Sequence, residues 1–413
     1  MIRRLRGLYG EPWLFWLLVV HMLGQGGFYL VRPMASYRAL ELGVDPAGLG
    51  LLAAAFSLAP LIIALWIGRL VDRRGEILFV FLGNGLMLVA AFALAATSGV
   101  LPLFVMAAGL GLGHLIAVVA AQGMVARGSD EESYDRRFSA FSFAGSIGQF
   151  MGPALVAVVA GQGSPETTTR ALLAGGAILA LTLPVAALIR PAAIRASAAR
   201  DGAGSRSTSL LGILRTPGVL RAILVSTTVL SAVDIMIAYM PALGEERLWP
   251  ASLVGLLLAI RAASSMGMRL VLGNLAARYG RGRLLTASMA VSAASLVLLP
   301  IDLPVPVIAV LMITAGAGLG IGQPLTMSWV ASLSAPGTRA TTLSVRIMGN
   351  RVGQVALPVI VGSIAAFSGV GGVLGVTGLI VAVGLAGAYS GLDRRTPAAR
   401  RAEEAPSAQG GGS

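Results

Sequence analysis

The sequence contains no cysteine and no lysine, only two histidines, and few charges: 12% of its 413 residues are charged, against roughly 25% in a soluble domain. Without lysine there is no Walker A loop, which needs that side chain to reach the β- and γ-phosphates, and no Schiff-base chemistry. Without cysteine there is no disulfide, thiol nucleophile or cysteine metal site. His21 and His114 are too few for a three-histidine zinc site. No nucleophile–base–orienter set is visible, so an enzyme is not expected, and neither is a metal or an organic cofactor. All 31 basic residues are arginine, a bias that fits the codon usage of a GC-rich genome. The pI near 11.3 would suit a nucleic-acid partner, but a chain that is 56% hydrophobic does not.

What is present in abundance is apolar sequence. A bilayer core about 30 Å thick takes roughly 20 apolar residues per helix. Runs of that kind lie near 13–33, 47–68, 77–97, 101–126, 138–161, 170–190, 219–241, 252–273, 282–301, 304–329, 341–367 and 370–391. The expected fold is an all-α membrane protein of twelve transmembrane helices. The first run is long, carries Arg32 at its end and lacks a small-residue cleavage site, so it reads as a span and not as a cleaved signal.

Arginine placement sets the expected orientation. With a cytoplasmic N-terminus, 23 of the 31 arginines fall on the cytoplasmic side, and the opposite side holds Arg38, Arg170 and Arg247 with Arg32 at its border. The positive-inside rule then places both termini in the cytoplasm, in the inner membrane of a bacterium. The longest polar connection, 191–218, divides the chain into an N-terminal six-helix half (1–190) and a C-terminal six-helix half (219–392). Residues 393–413 are expected to be a disordered cytoplasmic tail.

The two halves repeat at an offset of 205. Gly68-Arg69-Leu70-Val71-Asp72-Arg73-Arg74-Gly75 lies over Gly273-Asn274-Leu275-Ala276-Ala277-Arg278-Tyr279-Gly280, and Gly148-Gln149 over Gly353-Gln354. The Gly109–Gly113 segment echoes Gly318–Gly322 at an offset of 209. Glycines of this kind, inside apolar helices and not after a strand, read as close helix packing and not as a dinucleotide site. Two such repeats with a site between them are the logic of alternating access.

On these residues the chain resembles the major facilitator superfamily. Gly68, Leu70, Asp72, Arg73 and Gly75 match the family signature after helix 2, although Glu76 and Ile77 replace its final basic pair. Gly148-x-x-x-Gly152-Pro153 resembles the start of the helix 5 motif of the family's antiporters, without the glycine pair that follows it. The helix 4 motif has lost its arginine, since 105–108 read Val-Met-Ala-Ala. The resemblance implies two pseudo-symmetric six-helix bundles and a monomeric secondary transporter. It also implies a cytoplasmic latch formed by Gly68, Asp72, Arg73 and Gly75, with Arg346 as the partner across the halves.

The sharpest signal is charge within apolar runs. Asp234, Arg261 and Arg351 lie near helix centres, and Arg269 and Arg346 nearer the cytoplasm. Each costs roughly 2.5–3.5 kcal/mol at a helix centre, so they are expected to face an interior cavity. Two readings are open. Asp234 pairs with Arg261 or Arg351 and pins helices together, or Asp234 is a protonatable site and an arginine binds the carboxylate or phosphate of a solute. His21, Gln25, Tyr29 and Arg32 share one face of helix 1 at spacings of four, four and three, and read as a cavity stripe or a packing seam. His114, Gln149, Gln323 and Gln354 complete the candidate set. The expected function is proton-coupled efflux of a small organic solute. The alternatives are proton-linked uptake of an organic anion, favoured by the intramembrane arginines, and a membrane sensor or scaffold that does not transport.

Overall fold

The computed structural model describes residues 12–129, 131–162, 164–189, 210–334 and 339–392. These are helical, with no strand among the described residues. The first half comprises α1 (Pro12–Glu41), α2 (Pro46–Arg74), α3 (Glu76–Ala96), α4 (Val100–Arg127), α5 (Glu131–Val159) and α6 (Pro165–Ala187). A short helix, Leu210–Arg215, lies within the expected linker, whose residues 191–209 fall outside the described residues, as does the expected tail, 393–413. The second half comprises α7 (Val219–Glu246), α8 (Ala251–Tyr279), α9 (Arg281–Leu298) and α10 (Val305–Leu333). A final run, Arg339–Leu392, is broken at Gly369 (φ 65°) into α11 (339–368) and α12 (370–392).

Local chemistry places the ends. Asp45 caps α2 by accepting from the Gly48 N–H at 2.7 Å, and Pro46 opens the helix where its missing N–H costs nothing. The α2–α3 and α8–α9 turns pass through Gly75 (φ 89°) and Gly280 (φ 80°), backbone conformations that disfavour any side chain. These glycines are 205 residues apart, so the repeat seen in the sequence recurs as a repeated turn.

Eleven helices among the described residues are long and apolar enough to cross a membrane. The remaining expected span, 282–301, corresponds to α9, with 18 residues and two arginines at its start. Ser288, Ser292 and Ser295 each return a hydroxyl to a carbonyl of α9 at 2.8 Å, and Ser295 also meets Thr314 of α10 at 2.8 Å. Internal hydrogen bonding of that kind lets a serine-rich helix sit in an apolar bundle. The first helix differs in the other direction. It continues past the expected end at 33 to Glu41, through Pro33. Burial of Met34, Ala35, Tyr37 and Ala39 holds the extra turns, and neighbouring helices make proline tolerable there.

Helix contacts correct the register of one repeat. Close approaches of Gly113 to Gly83, Gly111 to Phe56 and Gly148 to Met22 recur as Gly318 to Ser288, Gly316 to Arg261 and Gly353 to Thr227. All three pairs are related by 205. The Gly109–Gly113 segment therefore corresponds to 314–318 and not, at an offset of 209, to Gly318–Gly322. A Gly-x-Gly-x-Gly run matches a similar run at several registers, and only the helix crossings select one.

The Gly148-x-x-x-Gly152 face of α5 packs directly on α1. A Cβ on Gly152 would lie 2.7 Å from the Gly26 carbonyl oxygen and 2.7 Å from the Leu30 nitrogen. Gly152→Val is therefore expected to destabilise the protein by roughly 1–3 kcal/mol, read as a lowered melting temperature in detergent. Gly68→Ala, at a position with nothing within 4 Å of an added Cβ, is the near-neutral control.

Between the halves, α2 packs on α11, α5 on α8 and α1 on α7. Taking the end where the loop arginines cluster as the arginine-rich end, the tight contacts lie toward the opposite end. There Gly50 meets Pro358 and Gly362, Gly255 meets Val156 and Ala157, and the Ser252 N–H donates to the Gly161 carbonyl at 3.0 Å. Gly50 and Gly255 are themselves related by 205, as are Ala157 and Gly362. Toward the arginine-rich end the surfaces separate: Gly68 and Gly273 have nothing within 4 Å, and α8 is exposed or half-buried from residue 266 onward.

Candidate functional site

A chain of charged and amide groups crosses the interface of the two halves. Arg32 of α1 donates from Nη1 to Oδ1 of Asp234 on α7 at 2.5 Å. Gln354 of α11 donates from Nε2 to Oδ2 of the same carboxylate at 2.5 Å and accepts from Arg351 Nη1 at 3.2 Å. Both oxygens of Asp234 are thus engaged, and the pair is 6% exposed on each side. The Arg32 guanidinium also lies over the rings of Phe28 (5.5 Å) and Phe56 (5.0 Å), where cation–π attraction offsets part of its lost hydration.

This arrangement corrects two expectations. Asp234 pairs with Arg32, not with Arg261 or Arg351. Arg32 is not a border residue, because α1 continues two and a half turns beyond it and leaves it 5% exposed inside the bundle. The partner lies 202 residues away, on a helix of the other half, so nothing in local sequence pointed to it.

The other arginines are held differently. Arg346 donates to the carbonyl (3.0 Å) and Oε1 (2.7 Å) of Gln323 and to Thr326 (3.1 Å), all on α10. Its described bonds stay within the C-terminal half, so the expected pairing across the halves is not what occupies it here. The Asp72 side chain lies outside the described residues. Arg73 is exposed at the end of α2, Gly75 shapes the turn that follows, and Gly68 lies within the helix with nothing within 4 Å of an added Cβ. Arg269 reaches across the interface to the Ser146 hydroxyl of α5 at 2.8 Å and donates to the Gly320 carbonyl at 3.0 Å. Arg261 is 4% exposed, and no hydrogen bond or ion pair joins it to any described residue; its Nε is enclosed without an acceptor. Tyr29, Asp234 and Arg269 lie within electrostatic range of it.

The helix 1 stripe divides. Arg32 and Tyr29 join the central group, Tyr29 lying within electrostatic range of Asp234, Arg261 and Arg269. Gln25 and His21 turn into the N-terminal half. The Gln25 Oε1 lies 3.2 Å from His114 Nε2. His114 stacks on Phe28 with centroids 3.9 Å apart, and His21 on Phe141 at 3.8 Å. A small recess between α1, α3 and α4 is lined by His21, Gln25, Asn84 and His114. The Asn84 side chain donates to the Val80 carbonyl at 2.8 Å, while its Oδ1 is buried without a partner. Buried amide oxygens of that kind ordinarily hold a water. Gln323 serves Arg346 and the Ser226 carbonyl, which it meets at 2.8 Å, and is not part of the central group. Gln149 is half-buried with no hydrogen bond among the described residues, and Gly148, Gly152 and Pro153 form the α1–α5 seam.

Sequence reasoning missed Asn84, Phe28, Phe56 and Ser146. An asparagine inside a strongly apolar run was a visible signal for the first. The aromatic residues and the serine look like ordinary helix residues until Arg32 and Arg269 are laid against them.

Comparison with known proteins follows the same lines. The family model described as Major Facilitator Superfamily matches residues 17–250 and again 229–410. No curated protein matches the chain. Among solved structures the chain is similar to the nucleoside transporter NupG, at 14% identity and a TM-score of 0.74, over 93% of this chain and 100% of that one. It is similar to a POT family transporter in complex with 5-aminolevulinic acid, at 13% identity and a TM-score of 0.75, over 90% and 94%. It is also similar to a bacterial homolog of the human lysosomal transporter Spinster in an inward-facing, unoccupied conformation, at 13% identity and a TM-score of 0.74, over 93% and 98%. At such identities these likenesses speak for the fold, while the two family matches together run over nearly the whole sequence. The chain belongs to the major facilitator superfamily, and its twelve-helix fold is that of a secondary transporter.

Proposed function

We propose that the protein exports a small organic solute in exchange for protons, by rocking of the halves 1–190 and 219–392 about the interface that Arg32 and Asp234 bridge. The observation that carries this reading is the ion pair itself. Asp234 is the single carboxylate among the described residues of the central group, and it ties α1 to α7. Protonation of Asp234 would remove the charge that Arg32 needs, and so weaken one cross-half bond at the depth where a solute passes. Arginine's guanidinium keeps its charge, which leaves Asp234, His21 and His114 as proton carriers.

The described state is closed at the arginine-poor end. With the arginine-rich end assigned to the cytoplasm by the positive-inside rule, this corresponds to an inward-facing conformation, the state in which the Spinster homolog was solved. The latch residues Asp72 and Arg73 lie at the separated end and would engage on rocking to the outward-facing state. The antiporter-like Gly148-x-x-x-Gly152-Pro153 segment supports export. Uptake of an organic anion remains the second reading, favoured by the arginines that lack a carboxylate partner.

The test is proton movement in sealed vesicles holding a trapped pH dye. A panel of organic anions and cations is presented on each side, with the membrane potential clamped. Export by exchange predicts solute and proton movement in opposite directions, lost in Asp234→Asn. Movement in the same direction would replace export by uptake, and solute flux with no proton movement would remove proton coupling.

A further inference from the structure

The central group contains an imbalance. Arg32, Arg261, Arg269, Arg346 and Arg351 lie inside the bundle, and among the described residues only Arg32 has a carboxylate. Arg269, Arg346 and Arg351 donate to neutral oxygens. Arg261 alone donates to no described residue. Its Nε is enclosed without an acceptor, and a nearly buried cation with no hydrogen-bonded carboxylate is costly for a fold to hold; in the interface between the halves it points to a counter-ion that arrives with the solute.

The repeat shows that this charge is not inherited by both halves. At the 205-residue offset, Asp234 corresponds to Tyr29, Arg261 to Phe56, Arg269 to Ala64, Arg346 to Phe141 and Arg351 to Ser146. Every charged position of the central group in the C-terminal half is neutral in the N-terminal half, and three of the five are aromatic there. The C-terminal half therefore presents a cationic wall, and the N-terminal half, apart from Arg32, which Asp234 neutralises, presents a neutral one rich in aromatic residues.

We propose that the solute is an organic carboxylate with an apolar body, and that Arg261 is the docking site for its carboxylate. The site rests on the transport reading above and adds the substrate class to it. Arg261 presents a planar fork that matches a carboxylate in two parallel hydrogen bonds. Tyr29, Asp234 and Arg269 stand within electrostatic range of the same guanidinium; the Asp234 carboxylate is already held by Arg32 and Gln354, and Tyr29 belongs to the wall that receives the apolar body.

The experiment uses the purified full chain in detergent, with benzoate as the smallest probe that combines both features, acetate lacking the body and benzamide lacking the charge. Benzoate is expected to raise the melting temperature of the wild type by at least about 2 °C, more than acetate, with no effect of benzamide. Arg261→Met is expected to abolish the benzoate shift and, without ligand, to melt about 2 °C or more above the wild type, because it removes an unpaired buried cation. A merely structural arginine would lower that value. Arg261→Lys keeps the charge but not the fork, and is expected to bind benzoate at least tenfold more weakly than the wild type.

No benzoate response in the wild type, an equal response in Arg261→Met, or a lower ligand-free melting temperature in that variant would overturn the proposal. Its failure separates from that of the transport reading. Benzoate bound through Arg261 with no solute flux in vesicles would leave the site standing and remove transport. Flux of organic cations with no benzoate response would do the reverse.

Discussion

Asp234→Ala is expected to cost about 3–5 kcal/mol of stability, the penalty for leaving a buried charge without its partner. The stranded group is Arg32, 5% exposed and held otherwise by the faces of Phe28 and Phe56. Gln354 also loses the acceptor it meets at 2.5 Å. Asp234→Asn should be milder, since the amide oxygen can still accept from one neighbour, yet it should abolish the dependence of transport on the proton gradient. The two variants thus separate the structural and coupling roles of one side chain. Arg32→Met combined with Asp234→Leu should recover most of the lost stability while remaining inactive, because an apolar pair of similar volume replaces a buried ion pair at little cost. Thermal melts of the single and double variants form a double-mutant cycle, with an interaction of at least about 1 kcal/mol expected. Additive melts would mean that the pair contributes nothing to the fold. Unchanged pH dependence in Asp234→Asn would move the coupling to His21 or His114.

The second large effect is expected at the closed end. Gly50→Val places a side chain against the Pro358 carbonyl, 3.0 Å from the Gly362 Cα and 3.0 Å from the Tyr239 hydroxyl. Gly255→Val, its counterpart in the repeat, meets the Ala157 nitrogen at 2.6 Å and Val156 Cγ1 at 2.7 Å. Backbone atoms on two helices cannot move aside as a flexible side chain would, so each substitution should hold the arginine-poor end apart. Transport is expected to fall at least tenfold, roughly the effect of about 1.4 kcal/mol against the closed state. The absence of native cysteine gives a direct readout. A cysteine at Ala53, 2% exposed on α2, should be labelled from the arginine-poor side by an impermeant maleimide in the Gly50→Val background and protected otherwise. Equal labelling in both backgrounds would show that the small residues at this end do not govern its closure.

Some of this was legible from residues alone. The glycine turns at Gly75 and Gly280 and the 205-residue repeat could be read directly, because turn chemistry and helix length are local properties. The apolar run suggested an end to α1 near residue 33, and only burial of Met34 and Tyr37 against neighbouring helices shows why the helix continues. The Gly109–Gly113 register slipped by four, since a run of alternating glycines aligns with another run at more than one position. Buried charge was likewise visible as charge, and its neighbours were not. Asp234 could be assigned an arginine but not the correct one.

The sequence by itself determined the twelve apolar spans, the side on which the loop arginines gather, the duplication, and the fact that Arg261, Arg269, Arg346, Arg351 and Asp234 had to face inward. Those follow from the cost of polar groups in hydrocarbon, which each segment carries independently of its neighbours. The tertiary structure alone decided that Arg32 takes the one carboxylate of the central group, that Arg269 crosses to Ser146, and that Arg261 is left without a hydrogen-bond partner among the described residues. A pairing between helices 202 residues apart depends on their crossing register, where a shift of one helical turn, 5.4 Å, exceeds the reach of a hydrogen bond. Such a distance is set by the packing of whole helices and not by any run of residues along one of them.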